Sequence, residues 1–172
     1  MKKFLFALVV LAGTALNSIA QTGSASGQSN TGKLSIGLDA GLPVGDASTV
    51  FGSVIGGSLK FEQPIATNAY FTISAGYSAF LTKSRFKDLG AQSSFGFVPL
   101  KAGLKYYTET GLFVEGQLGV VFSTESGGSS AFVYSPGVGY TFTSGFELGI
   151  RYEGWSKNST TSQAALRASV RF

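Results

Sequence analysis

The 172 residues include no cysteine and no histidine, which excludes disulfides, Cys-based metal sites and the commonest general base. Charged residues make up only 13% of the chain, against roughly 25% in an ordinary soluble domain, while aromatics also reach 13% and glycine 24 residues. The formal net charge of +4 falls to +2 without Lys2 and Lys3, leaving 11 basic residues against 9 acidic ones, so no nucleic-acid surface is expected.

Residues 1–20 read as a secretory signal peptide. Lys2 and Lys3 form a positive start, Phe4–Ala12 a short apolar run, and Ser18 and Ala20 the small residues before a cleavage site at Gln21. Phe4–Ala12 is too short for a membrane helix, which needs about 20 residues. Residues 21–32 are small and polar and read as a flexible arm, leaving 33–172 as one domain.

Period-two alternation begins at Lys33, as expected for strands whose side chains point to opposite faces in turn. The first strand, Lys33–Leu42, sets Leu34, Ile36, Leu38, Ala40 and Leu42 against Lys33, Ser35, Gly37, Asp39 and Gly41. After the loop Pro43–Phe51, Gly52–Glu62 sets Ile55, Leu59 and Phe61 against Val54, Lys60 and Glu62. The connection Gln63–Asn68 leads to Ala69–Leu81, and the polar loop Thr82–Ser94 leads to Phe95–Tyr106, where Lys101 and Lys105 share a face. The turn Tyr107–Gly111 precedes Leu112–Phe122, in which Val114, Leu118 and Val120 oppose Phe113, Glu115 and Gln117. A Ser/Gly-rich loop, Ser123–Ser130, precedes Ala131–Phe142; Pro136 removes a ladder donor there and marks a place for a bulge. The turn Thr143–Gly145 precedes Phe146–Trp155, which sets Leu148, Ile150 and Tyr152 against Glu147, Arg151, Glu153 and Trp155. Loop Ser156–Ser162 leads to the closing strand Gln163–Phe172, in which Arg167 and Arg171 oppose Leu166, Ala168, Val170 and Phe172.

Eight strands of about ten residues each suit a tilted membrane crossing, which needs about 9–11. The connections after the first, third, fifth and seventh strands are the longer ones, the arrangement of outer-membrane barrels. A soluble cup of the lipocalin kind would also have eight strands, with its apolar face inward. The charges favour the opposite orientation. All twelve strand charges, from Lys33 to Arg171, lie on the face opposite the apolar stripe, and nine glycines share their parity. Tyr106, Phe142, Phe146, Tyr152 and Phe172 sit near strand ends on the apolar face, where a membrane barrel carries its aromatic girdles. The expected fold is therefore all-β: an eight-stranded antiparallel up-and-down transmembrane β-barrel, apolar side outward. Its lumen would hold a charge network of Lys60, Glu62, Lys101, Lys105, Glu115, Glu147, Arg151, Glu153, Arg167 and Arg171, centred on Glu115, Glu147, Lys101, Arg151 and Arg167.

Four stretches carry a family likeness: Gly37–Asp46 (GLDAGLPVGD), Pro99–Tyr106 (PLKAGLKY), Ser135–Tyr140 (SPGVGY) and Arg151–Lys157 (RYEGWSK). With the closing Leu166–Phe172, they resemble the small Gram-negative outer-membrane β-barrels of the OmpA/OmpX-like type. The resemblance covers about Lys33–Phe172 and concerns architecture far more than activity. It implies an outer-membrane location, contact with outer-membrane lipid and lipopolysaccharide, and assembly by the barrel-assembly machinery through the last strand, with Phe172 as its signal. No peptidoglycan-binding domain is expected after Phe172. Some barrels of this type are lipid A-modifying enzymes that rely on a histidine, which this chain lacks.

The expected role is structural or surface-interacting, by a non-enzymatic monomer with a plugged polar lumen and no cofactor, metal or nucleic acid. The alternative is a narrow small-solute or ion channel; a lipid A-modifying enzyme ranks below it. Lys83, Arg85 and Lys87, with Phe86 between them, form a candidate extracellular contact for anions such as lipopolysaccharide phosphates. Asn158-Ser159-Thr160 matches a glycosylation acceptor, a weak three-residue signal in a polar loop.

Overall fold

The structure, a computed structural model, describes residues 31–172 apart from 126, 158 and 159. The expected signal peptide, most of the expected arm, and Asn158 and Ser159 lie outside the described residues, as does the side chain of Lys87.

Eight strands follow in chain order: β1 (Lys33–Val44), β2 (Phe51–Ala66), β3 (Ala69–Thr82), β4 (Ser94–Tyr107), β5 (Leu112–Ser123), β6 (Ser130–Thr141), β7 (Phe146–Ser156) and β8 (Thr160–Arg171). Two single-turn helices sit in the connections: α1 (Ala47–Val50) between β1 and β2, and α2 (Ser84–Lys87) between β3 and β4. Each strand pairs antiparallel with the next, and β8 returns to β1, closing the barrel. Closure satisfies the backbone within the sheet and leaves no open edge, which a lipid environment requires. The seam extends to Phe172, whose N–H donates to Leu34 O at 2.9 Å and whose carbonyl accepts from Leu34 N at 3.1 Å.

Burial follows strand parity. Leu38, Leu42, Leu104, Leu118 and Ile150 are exposed outward, whereas Lys60, Glu62, Lys105, Glu147 and Glu153 face inward and are at most 2% exposed. Outward aromatics gather at both rims. Tyr106, Tyr140, Phe142, Phe146 and Phe172 ring the end that carries the turns after β2, β4 and β6. Tyr77, Phe122, Phe132 and Tyr152 ring the end that carries the loops after β1, β3, β5 and β7. This is the exterior of a membrane-spanning barrel.

Several expected boundaries need correction, all because pairing runs further than the local turn signals suggest. β2 absorbs Gln63–Ala66, with a register shift between Pro64 and Ala66, so only Thr67 and Asn68 turn the chain. Tyr107 belongs to β4 and pairs with Phe113, rather than opening the turn. Ser156 pairs with Thr160, which cuts the last loop to residues 157–159, shorter than the turns at 108–111 and 142–145. The expected rule of long loops at one end thus fails at the fourth loop. Pro136 introduces no bulge: the β6–β7 ladder is broken between Tyr134↔Gly154 and Gly137↔Arg151 and resumes in the same register. Pro99 interrupts β3–β4 in the same way, between Ala75↔Leu100 and Ser78↔Phe97.

The sequence predicts a polar lumen, but the loop end of the interior is apolar. Val54, Phe80, Val121, Val133 and Trp155 form a buried cluster there, with Phe51, Phe97 and Ala131 packed against it. Ring centroids lie 4.9 Å apart for Phe80–Trp155, 4.8 Å for Phe97–Trp155 and 5.3 Å for Phe51–Phe80, within range of favourable aromatic contact. Val54, Phe80, Phe97, Val121, Val133 and Trp155 share the parity of the lumen charges but sit near the loop rim, and Phe51 joins them across the register shift between Phe51 and Ser53. Truncating Phe80 to Ala should cost about 3–5 kcal/mol through the cavity it leaves. Leu89→Ala, on a loop residue 82% exposed, should stay within about 0.5 kcal/mol. Urea unfolding in lipid vesicles, followed by Trp155 fluorescence, measures both; similar losses would contradict the cluster's role.

Candidate functional site

Below the apolar cluster the interior is a stack of ion pairs built from six strands, β1, β2, β4, β5, β7 and β8. Nearest the turn end, Lys105 Nζ from β4 lies between Glu62 of β2 and Glu147 of β7, donating to their Oε1 atoms at 2.7 and 2.8 Å. Lys60, two residues before Glu62, donates to both Glu115 oxygens at 3.0 and 2.8 Å. Arg171 of β8 donates to Tyr107 Oη at 2.8 Å, and that hydroxyl donates to Glu147 Oε1 at 2.9 Å. Thr141 also donates to Glu147 Oε1, at 2.8 Å, so this carboxylate gathers donors from β4 and β6. The Lys105 ammonium additionally sits 3.9 Å from the Phe113 ring centroid, a cation–π contact in a desolvated site.

A second group lies toward the loop end. Lys101 Nζ meets Glu153 Oε2 at 2.5 Å. Arg151 pairs with Asp39 at 3.3 Å and Glu153 at 3.5 Å, and Arg167 pairs with Asp39 at 3.2 Å and donates to Ser58 Oγ. Gly37 lets this happen: a Cβ there would stand 2.7 Å from Arg167 Cζ. Gln117 ties β5 to β3, donating to Thr72 Oγ1 at 3.1 Å. Trp155 Nε1 donates to Glu153 Oε1 at 2.9 Å, joining the apolar cluster to the charges beneath it.

All ten expected network residues therefore lie inside, but in two knots rather than around one centre. Glu147 and Lys105 anchor one knot and Glu153 the other, while Glu115 joins through Lys60. The expectation did not include Tyr107, Thr141, Gln117 or Phe113 among the partners. Tyr107 continues the parity of Lys101 and Lys105, so only its placement in a turn concealed it. Buried ion pairs that lose one member leave an uncompensated charge, which is what makes this stack stiff rather than merely favourable.

At the loop end, Lys83 Nζ donates to Ser48 O at 2.6 Å and Arg85 Nη2 to Thr49 O at 3.1 Å. Both carbonyls belong to α1. Two of the three candidate anion contacts thus brace the second long loop against the first, while remaining exposed. Among the described residues no group of three or more acids could hold a metal ion.

No protein-family model matches the chain, and no curated protein matches it in sequence. Solved structures do match in fold. Ail, the attachment invasion locus protein of Yersinia pestis, superposes with a TM-score of 0.59 at 15% identity, over 82% of this chain and 97% of its own. The N-terminal β-barrel domain of Pseudomonas aeruginosa OprF gives 0.56 at 14%, over 81% and 97%. The outer membrane enzyme PagL gives 0.57 at 15%, over 79% and 98%. Ail has also been solved with the heparin analogue sucrose octasulfate, matching at a TM-score of 0.54 and 15% identity over 82% and 97%. At these identities the likeness establishes the fold, that of small eight-stranded outer-membrane barrels.

Lys101 and Glu153 supply the cleanest test of the stack. Lys101→Met and Glu153→Gln should each cost about 3–5 kcal/mol. The double variant should recover at least about 1 kcal/mol of their sum. Glu115→Ala should likewise cost far more than Glu125→Ala, whose carboxylate accepts from Gln92 at the surface. Additive losses in urea unfolding would show that Lys101 and Glu153 do not act as a pair.

Proposed function

We propose that the protein is an integral outer-membrane barrel that acts through its loop end as a surface-interaction module, with an interior that neither conducts nor catalyses. The observation that carries this reading is the division of the interior: ion pairs fill it from the turn end upward, and aromatic side chains cover them beneath the loops. Eight strands leave an interior just wide enough for side chains to fill. Every interior carboxylate is held by lysine or arginine, including Glu147 beside the Thr141 and Tyr107 hydroxyls, and the chain has no histidine or cysteine. The closed strand order supports a monomer, since no sheet edge is left to pair.

The ligand class suggested by the loops is a phosphorylated or sulfated glycan, lipopolysaccharide among them. Lys83 and Arg85 are exposed and held in place by the α1 carbonyls, which removes part of the entropic cost of presenting two cations together. That Ail was solved with a sulfated sugar analogue on the same fold supports this class. Assembly through the last strand and Phe172, on the barrel-assembly machinery, belongs to the same reading. Binding of purified lipopolysaccharide and of heparin to the protein in nanodiscs tests it. The triple variant Lys83→Ser, Arg85→Ser, Lys87→Ser should weaken binding about tenfold or more at ~0.15 M salt, and added salt should weaken the parent likewise. Binding that ignores both changes, or is absent from the parent, would overturn the glycan reading.

A further inference from the structure

Charge inside the barrel is balanced at one level and unbalanced at the other. In the knot nearest the turn end, Lys60, Lys105 and Arg171 meet Glu62, Glu115 and Glu147. In the knot above it, Lys101, Arg151 and Arg167 meet only Asp39 and Glu153. One positive charge is therefore left over, and it lies with the two arginines.

The unpartnered polar atoms lie with the same residues. Arg151 Nε, Arg167 Nε and Nη2, and Ser169 Oγ are buried and make no hydrogen bond. Arg167 is 8% exposed and Ser169 3%. Two unpartnered acceptors, Asp39 Oδ1 and Gln163 Oε1, belong to the same level but do not line the cavity described next, and Asp39 Oδ1 is ion-paired with Arg151. Arg151, Arg167 and Ser169 border a cavity of about 20 Å³, which Lys60, Glu115 and Glu147 also border. Both Glu115 oxygens are taken by Lys60, and Glu147 Oε1 accepts from Lys105, Tyr107 and Thr141.

We infer that this cavity binds one small monovalent anion of chloride or bromide size, held by Arg151, Arg167 and Ser169. The space admits a single atom about as large as a water and excludes sulfate or phosphate. A water would accept from at most two of the donors and leave the extra charge uncompensated, whereas a halide accepts from all of them and balances the site. Enclosed charge that is not compensated is costly, and the two arginine side chains are only 13% and 9% exposed.

The test uses protein purified from membranes of expressing cells, unfolded in urea and refolded in detergent with bromide, chloride or gluconate at equal ionic strength. Refolding allows an occluded ion to exchange. The expected result is one bromine anomalous peak inside the barrel, touching Arg167 and Ser169, together with a Tm several degrees higher in either halide than in gluconate. Arg167→Met removes the surplus charge; it should fold, as heat-shifted gel mobility reports, and lose both the peak and the halide dependence. Ser169→Ala should keep the peak with a smaller Tm difference. A folded parent with no interior peak, bromide found only on the outer surface or loops as an adventitious ion, or a halide dependence that survives Arg167→Met would overturn the inference.

Discussion

A lysine enclosed by eight strands has no water to retreat to. Lys105 is fully buried, and its ammonium is tolerable only because Glu62, Glu147 and the Phe113 ring surround it. Those partners come from β2, β7 and β5, so the ion pair exists only when the barrel has closed in one register. Slipping any of these strands by one residue would turn its charges toward lipid and its leucines inward. Charge pairing in the lumen and apolar exposure outside are thus two consequences of one alternation, and the register is the quantity both of them fix.

The interior changes character along the barrel axis. Toward the turns, cations and carboxylates alternate closely enough to share oxygens, as at Glu147 Oε1. Toward the loops, Phe80, Phe97 and Trp155 replace them, and Trp155 joins the two regions through Glu153. Above the aromatics, the long loops lean on one another through Lys83 and Arg85. This arrangement gives the loop end a packed floor of aromatic side chains beneath the braced loops.

Much of this was legible from period two alone. Twelve strand charges sharing one parity, opposite Leu38, Leu104 and Ile150, dictate which face is inside. What alternation does not contain is partner identity: Lys105 bonds Glu62 and Glu147 across 43 and 42 residues. Strand ends are not legible where a polar or proline-bearing stretch imitates a turn while still pairing, as at Gln63–Ala66 and Ser156. Tyr107 was hidden in the same way. The apolar cluster was hidden differently. Val54, Phe97, Val121 and Trp155 look like separate exceptions on a charged face, and only the register brings them to one level. For the loops, composition suggested three free cations, whereas two of them hold α1 in place.

A barrel whose lumen is closed by ion pairs and aromatic side chains should not conduct, and planar-bilayer conductance tests this most directly. Protein from membranes of expressing cells, shown to be folded by heat-shifted gel mobility, should insert and stay silent. Discrete, voltage-stable steps that change with Phe80→Ala or Glu153→Gln would mean that ions pass through the aromatic and charged layers, and would make the protein a channel.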